Sequence, residues 1–459
     1  MKKKTALILG AILVTAAAIG CLLLRHPPTQ AEPKGVSIYD SNGDLLLHAV
    51  SQSEIYEASQ WSYLDTALAQ TAATLVEQTG CRPEEAVEKL FSEGYQVYTY
   101  FDRRLYQKVS SALEQWTGDT GTACALTDLN GRLLVTYSTR QQQTNHANRQ
   151  IPPYSAFKVL SVYTPAVESG MIQWSTLYHD SPYKTLGDTG WPANANGSYS
   201  QKDVTVYDGL RKSLNTVAVK CLAQLGIDTS LDFLQQKLGI PMEEEAYVAE
   251  NYGDEEVIGN IALGYLEKGL TPVDMAGYYQ IFATGGLYTQ PSAVDKILSE
   301  TGEPVYTREA EASQVISPAT ADTMNRLLRG VVAPGGTGAQ VRIQDVAIAG
   351  KTGTGDGYSD SWFVGITPGY SCAVWHGQHT ENQAASLFAA IIDTLYQNDP
   401  MAARNFTTHQ TLQEIVYCAK SGMAISPACT AIGTGYFVDP HSLGECTICN
   451  TQETGGTTP

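Results

Sequence analysis

Strand-forming runs stand at both ends of the central part of this chain and helical runs fill the space between, so a sheet must be assembled from pieces far apart in sequence. The early run is a hairpin. Residues 123–128 and 133–137 flank Asn130-Gly131, a pair that readily supplies the positive φ angles of a two-residue turn. The late run follows the apolar stretch Val346-Ala347-Ile348-Ala349 and continues as three strands, the second and third being residues 362–366 and 372–375 around the turn Thr367-Pro368-Gly369. Between the two runs the spacing predicts a helix over 216–225, stopped by Gly226, and a helical stretch opened by Thr271-Pro272 that runs to Gly285-Gly286. The expectation is an α+β fold, an antiparallel sheet with helices between and around it. Ahead of the hairpin, residues 36–116 hold a turn at Asp40-Ser41-Asn42-Gly43-Asp44, an amphipathic helical stretch over 66–78 and a strand alternating through Tyr95, Val97, Thr99 and Phe101. Nothing in that region carries catalytic chemistry.

Three short motifs fall in order on this frame: Ser155-Ala156-Phe157-Lys158, Ser213-Leu214-Asn215 and Lys351-Thr352-Gly353-Thr354. Together they supply a nucleophile with a basic amine, a relay hydroxyl beside an amide, and a cationic strand able to grip a carboxylate. Two decoys occur, Ser181-Pro182-Tyr183-Lys184 and Lys420-Ser421-Gly422. Context separates them. Ser155 follows Pro152-Pro153 and opens an apolar run with helical spacing, whereas Ser181 stands in a stretch broken by Pro182, Gly187, Gly190 and Pro192. Lys351 follows a buried-strand pattern, while Lys420 lies among cysteines.

If Ser155 begins a helix, its hydroxyl lies by the positive end of the macrodipole and Lys158 projects from the same face three residues on. Burial of Lys158 near another cation, for which Lys351 is a neighbour, makes its amine a usable base. Ser213 can pass the proton to a leaving amine, and Asn215 can hold a substrate amide. Gly353, without a side chain, leaves room for an extended peptide on the strand, with Lys351, Thr352 and Thr354 holding a terminal carboxylate. The N–H groups of Ser155 and Thr354 are candidates for an oxyanion site. The chemistry is acyl transfer through a serine ester, and it calls for no cofactor and no metal.

The N-terminus sets Lys2-Lys3-Lys4 before an uncharged run over residues 5–24, long enough to span a bilayer, with Arg25 after it. An uncleaved single-pass anchor is expected, with the N-terminus cytoplasmic and the rest of the chain extracytoplasmic. Ala16-Ala17-Ala18 and Gly20-Cys21 offer cleavage as the rival. A net charge of −18 argues against a nucleic-acid partner, which needs a basic face. Of nine cysteines at least one stays unpaired, Cys21 being a candidate. Among Cys418, Cys429, Cys446 and Cys449 at least one disulfide is expected, in preference to a zinc site, for a chain facing an oxidising compartment. His376 and His379 are read as surface histidines.

Together the three motifs and their surroundings resemble the transpeptidase domain of class A penicillin-binding proteins, bacterial enzymes that cross-link peptidoglycan and are acylated by β-lactams. The likeness extends from about Glu93 to the cysteine-rich tail. It includes Val204-Thr205-Val206-Tyr207-Asp208-Gly209-Leu210-Arg211-Lys212 before the second motif, Thr271-Pro272-Val273-Asp274-Met275-Ala276 leading to Phe282-Ala283-Thr284-Gly285-Gly286, Gly336-Thr337-Gly338, and Asp360-Ser361-Trp362-Phe363-Val364-Gly365. The resemblance implies the serine β-lactamase and penicillin-binding fold, with Ser155 as nucleophile, Lys158 as base, Ser213 and Asn215 as relay and positioning groups, and Lys351 with Thr352, Gly353 and Thr354 as substrate binders. The implied activity is a D,D-transpeptidase that forms an acyl-enzyme with D-Ala-D-Ala stem peptides.

The chain departs from that family in two ways. Its acidic glycosyltransferase motif, Glu-Asp followed by Phe and His, is absent from this sequence, although Val36-Ser37-Ile38-Tyr39-Asp40-Ser41-Asn42-Gly43 and Gly94-Tyr95-Gln96-Val97-Tyr98-Thr99 resemble the segments flanking that module. A separate glycan polymerase is therefore the expected partner, beside stem peptides and β-lactams. Tyr154 stands where the family usually has Gly, and Ala156 replaces a common Thr. The implied organisation is 1–24 cytoplasmic tip and transmembrane anchor, 25–35 stalk, 36–118 non-catalytic linker region, 119–445 transpeptidase domain and 446–459 tail. A D,D-carboxypeptidase and a non-catalytic peptidoglycan-binding scaffold are the alternatives. A β-lactamase would need a Glu-x-x-Leu-Asn segment after Ser213, and none is there.

Overall fold

The computed structural model describes residues 33–114, 121–140, 144–246, 254–377, 383–397, 399 and 402–449. The expected membrane anchor, Cys21, His379, most of the stalk and most of the tail lie outside the described residues. Among the described residues no helix is long and apolar enough to cross a membrane. In chain order the elements used below are strands β1 (Val36–Tyr39) and β2 (Leu45–Ala49), helix α1 (Trp61–Thr79), β3 (Gln96–Thr99), α2 (Arg103–Glu114), β4 (Thr122–Asp128) and β5 (Leu133–Ser138). They continue with α3 (Val206–Arg211), α4 (Asn215–Leu225), α5 (Pro272–Tyr279), β6 (Val294–Leu298), β7 (Pro304–Thr307), β8 (Ala349–Thr354), β9 (Asp360–Ile366), β10 (Tyr370–Gly377), α6 (Ala384–Tyr396), β11 (Gln413–Cys418) and β12 (Ile432–Phe437).

The central sheet runs β8-β9-β10-β4-β5 with every pair antiparallel. Its two sequence-distant pieces meet where β10 pairs with β4, Ala373 opposite Ala125 and Val374 opposite Cys124. Successive side chains of a strand point to opposite faces, and both faces are apolar here. Trp362, Val364, Ala373, Trp375, Ala123 and Ala125 enter one core, which also takes Phe157, Leu160, Val217 and Met275. Phe363, Cys372, Val374, Cys124 and Leu126 enter the other, closed by Leu105 and Val109 of α2 and by Phe388, Ile391 and Ile392 of α6. The Phe363 and Phe388 rings meet at 4.6 Å. Burying each such side chain is worth roughly 1.5–3 kcal/mol. Helices therefore cover both faces of the sheet, and β8 forms one edge.

The N-terminal region builds a second sheet, β7-β6-β3-β1-β2, completed by two strands that follow α5. Helix α1 starts earlier than the expected 66–78 and is not simply amphipathic. Tyr63 and Ala67 join the central core while Leu64, Leu68, Ala72 and Leu75 join the small sheet's core, so α1 is wedged between two apolar surfaces. The β4–β5 turn also differs from expectation. The Asp128 carboxylate accepts from the N–H groups of Asn130 and Arg132 at 2.9 and 2.8 Å, which holds residues 129 and 130 in a right-handed turn. Only Gly131 takes a positive φ, 73°. The result is a three-residue loop with a bulge rather than a two-residue Asn-Gly turn.

Two further expectations are corrected. His376 is 1% exposed, not a surface histidine, because β10 lies inside the sheet with both faces covered; its Nδ1 is 2.7 Å from Thr122 Oγ1. The expected disulfide is not formed. The eight cysteines within the described residues are free, and the β11–β12 hairpin brings the four C-terminal sulfurs to a single point instead of pairing them.

Candidate active site

Ser155 sits in the single 3-10 turn Tyr154–Ala156, which passes through Phe157 and Lys158 into a widened π-helical turn, Val159–Tyr163, and then one α-helical turn, Thr164–Glu168. Pro165 has no N–H for the carbonyl four residues back, and the widened turn lies where that bond is missing. Thr164 Oγ1 donates to Val159 O at 2.6 Å and closes it. Ser155 thus stands at a helix start, as the sequence predicts, though the helix is irregular.

Lys158 and Lys351 are both fully buried. Lys158 Nζ donates to Asn215 Oδ1 at 2.5 Å, to Ser213 O at 3.1 Å and to Ser213 Oγ at 3.5 Å. Lys351 Nζ donates to Ser213 Oγ at 2.8 Å and to Thr352 O at 3.0 Å. One hydroxyl, that of Ser213, therefore connects two buried amines, and among the described residues no carboxylate forms an ion pair with either. Burial, followed by the positive charge of Lys351, holds Lys158 well below the usual lysine range. Burial brings Lys351 down to about 7.

Local backbone geometry places these groups. Ser213 takes φ 57°, a left-handed conformation costly for a residue with a side chain, at the corner where α3 turns into α4. Strand β8 carries Lys351, Thr352, Gly353 and Thr354 along the sheet edge. The space left by Gly353 is taken by the nucleophile's own loop, since a Cβ there would lie 2.4 Å from Pro153 O and 3.3 Å from Ala156 N. Its missing side chain lets Ser155 close on the strand, a different use from the room for a peptide that the sequence suggested. Trp362 Nε1 ties the same loop down through Pro152 O at 3.0 Å. Thr352 is buried, its hydroxyl 2.8 Å from that of Thr337, and Thr354 is half-buried at the strand's end.

The side-chain amide of Asn215 is engaged from both ends, accepting from Lys158 and donating to Ala193 O at 2.6 Å. The start of α4 is anchored by Asp180 and Asn194, residues that sequence reasoning did not single out. Asn215 N donates to Asn194 Oδ1 at 2.9 Å, and Thr216 Oγ1 and Asn194 Nδ2 donate to Asp180 Oδ1 at 2.7 and 2.9 Å. Burial alone would raise the Asp180 carboxyl, but the N–H of Ser200 with Thr216 and Asn194 holds it below its ordinary value. No periodicity marks either residue, and the same Gly and Pro breakers that disqualified Ser181 conceal them. A cleft of about 760 Å³ opens beside Asn215, lined among others by Lys184, Trp191, Tyr265 and Asp356. The decoys stay outside the catalytic cluster. Ser181 accepts from Lys220 at 2.9 Å, and Lys184 lies over the Trp191 ring at 5.3 Å.

Tyr154 takes φ 47°, a region where a glycine is unstrained. Its ring meets Tyr265 edge-on at 5.2 Å, and its hydroxyl is 3.2 Å from Asp360 Oδ2. These contacts hold the strained turn ahead of the nucleophile. In urea denaturation Tyr154→Gly is expected to be more stable than Tyr154→Ala by about 1 kcal/mol, because both lose the ring but only Gly is relieved of the strain. Equal stabilities would place no strain at this turn.

The family of the penicillin binding protein transpeptidase domain matches residues 121–396. Penicillin-binding protein 1A of Clostridium acetobutylicum is 32% identical over 288 residues, covering 61% of this chain and 34% of that protein. Penicillin-binding protein 1F of Bacillus subtilis is 28% identical over 357 residues, covering 74% of this chain and 46% of that protein. The chain thus spans between a third and a half of the length of these relatives. Among solved structures, penicillin-binding protein 1A of Haemophilus influenzae shares the fold with a TM-score of 0.65 at 14% identity, over 89% of this chain and 98% of that one. The D,D-transpeptidase domain of a peptidoglycan glycosyltransferase from Eggerthella lenta does so with a TM-score of 0.61 at 17% identity, over 81% of this chain and 100% of that one.

Proposed function

The chain belongs to the penicillin-binding protein transpeptidase family, and from that premise we propose that it is a D,D-transpeptidase cross-linking peptidoglycan stem peptides through an acyl-enzyme on Ser155. The observation that carries the reading is the Ser213 hydroxyl held between two buried amines of lowered basicity. Neutral Lys158 takes the Ser155 proton as Oγ attacks the carbonyl of the penultimate D-Ala. Lys158 and Ser213 then return a proton to the departing amine of the terminal D-Ala, leaving the serine ester. An acceptor amine attacks that ester, transfers its proton back through Lys158, and frees Ser155 as the new peptide bond forms. Lys351, with Thr352 and Thr354, is assigned to the substrate's terminal carboxylate, and Gly353 to close contact between strand and nucleophile. Asn215 positions Lys158. The N–H groups of Ser155 and Thr354 are assigned to the oxyanion, where one such donor is worth about 10²–10³ in rate.

The glycan strands come, in this reading, from a separate polymerase, a reading supported by the short stretch 44–93 that lies between the two segments resembling the flanks of the family's glycosyltransferase module. Residues 5–24 anchor the chain in the bacterial cell membrane, with the catalytic domain outside. The test combines the full chain with a polymerase and lipid-linked disaccharide pentapeptide, digests the product with a muramidase and searches for dimeric muropeptides. Dimers sensitive to penicillin are expected. Release of D-Ala without dimers would make it a carboxypeptidase, and neither product would make it a scaffold.

A further inference from the structure

The four cysteines gathered at the C-terminal hairpin play no part in acyl transfer. Cys418 ends β11, Cys429 lies in the connection to β12, and Cys446 and Cys449 follow β12. All four Sγ atoms lie within 4.8 Å of one another, Cys418 to Cys449 being 3.8 Å. From the structure we infer that residues 413–449 form a module built on a structural zinc ion held by Cys418, Cys429, Cys446 and Cys449.

Three observations support this. A tetrahedral site with Zn–S bonds of about 2.3 Å places its sulfurs roughly 3.8 Å apart, the spacing of Cys418 and Cys449. Two disulfides would instead divide the four sulfurs into separate pairs, and here they share one centre. Cys418, Cys446 and Cys449 are also buried, and Cys429 is half-buried, in a cluster whose other members among the described residues are Met423 and Ala428. Tyr417, Phe437 and Leu443 of the same module are buried in the central core instead, so the end that carries the sulfurs has little apolar packing of its own, and structure of that kind ordinarily relies on a metal or cross-links. Finally, the turns around the sulfurs are tight. Gly422, at φ 72°, donates its N–H to Cys418 O at 2.8 Å, and Ser426 N donates to Cys429 Sγ at 3.3 Å. Four thiolate ligands fill the coordination sphere, so the ion is structural and has no open position for a substrate. On binding, the four thiols release their protons to solvent.

The module is docked on the transpeptidase domain. Ser175 Oγ donates to Gly422 O at 2.5 Å. Trp174 stacks on Tyr207 of α3 at 4.4 Å and meets Tyr436 of β12 edge-on at 5.4 Å. The hairpin therefore leans on the helix that leads into Ser213.

The experiment uses the full-length protein purified without added metal and without chelator. Elemental mass spectrometry is expected to find one zinc per chain, and intact mass under non-reducing conditions to match four reduced thiols at these positions. After zinc removal under reducing conditions, cobalt(II) is expected to restore one equivalent of metal and to show the visible absorption of tetrahedral thiolate coordination. Cys446→Ser with Cys449→Ser is expected to lose the zinc and to expose residues 413–449 to limited proteolysis. Iron in place of zinc, a mass lighter by the four hydrogens that two disulfides remove, or cobalt without the tetrahedral spectrum would overturn the inference. The cobalt measurement is made on the unmutated chain, so a failure of the double variant to fold leaves the test intact.

Discussion

Ser155→Ala is expected to abolish covalent labelling by a fluorescent penicillin, whereas Ser181→Ala labels like the unmutated protein. Both serines belong to Ser-x-x-Lys sequences, so sequence alone offers two sites. The structure separates them by their surroundings. Ser155 stands at a helix start against β8, one turn from an amine held well below the usual lysine range and linked through Ser213 to a second. Ser181 is half-buried beside Lys220, and its own Lys184 is drawn to Trp191. A nucleophile at its ordinary pKa needs a neutral base to accept its proton; at the first site complete burial and the charge of Lys351 both lower the amine, whereas at the second the lowering of Lys220 by burial is opposed by the Asp180 carboxylate. Intact-mass analysis with peptide mapping after penicillin treatment reads the outcome. An adduct remaining on Ser155→Ala would remove Ser155 from its proposed role.

Much of the fold is written in short-range patterns. The short apolar runs 362–366 and 372–375 around Thr367-Pro368-Gly369 announce β9 and β10, and Thr271-Pro272 announces the start of α5, where in the structure the Thr271 hydroxyl and the Asp274 carboxylate cap each other's N–H groups. The nucleophile, its lysine, the Ser213 corner and the β8 motif are legible because each is a compact run of a few residues. What escapes is whatever depends on contacts between runs. Asp180 and Asn194 are single polar residues in a Gly- and Pro-broken stretch, and they matter only because that stretch folds back onto the start of α4. The two faces of α1 belong to different cores, one of which is completed by β6 and β7, strands that follow more than 200 residues later, from Thr79 to Val294. Gly353 reads as room for a ligand until the packing places the Pro153 carbonyl in that room. The cysteines present the same problem, since spacing allows pairing or a shared centre and only their convergence separates the two.

Lys351→Met is expected to slow penicillin acylation by a factor of roughly 30 to 5,000, the rate equivalent of the ~2–5 kcal/mol lost when one partner of a buried charged contact is truncated. The side chain is fully buried with no carboxylate partner among the described residues, so the charge best suited to neutralise it is the substrate's own. Two pH effects accompany the loss. Acylation requires neutral Lys158 and falls as pH drops through that group's pKa. Removing the Lys351 charge stabilises protonated Lys158, so the acid limb of the remaining activity moves to higher pH. The second effect is on stability. Lys351 titrates at about 7 when folded and at ~10.4 when unfolded. Between those values the unfolded chain binds more protons, so Lys351 makes stability rise with pH across that window. Lys351→Met lacks this contribution, and its melting temperature should climb less from pH 7 to pH 10 than that of the unmutated protein. Stopped-flow acylation against pH and thermal melts over the same range measure both effects. A variant that acylates at the unmutated rate, with its acid limb unmoved, would detach Lys351 from the carboxylate and from Lys158 alike.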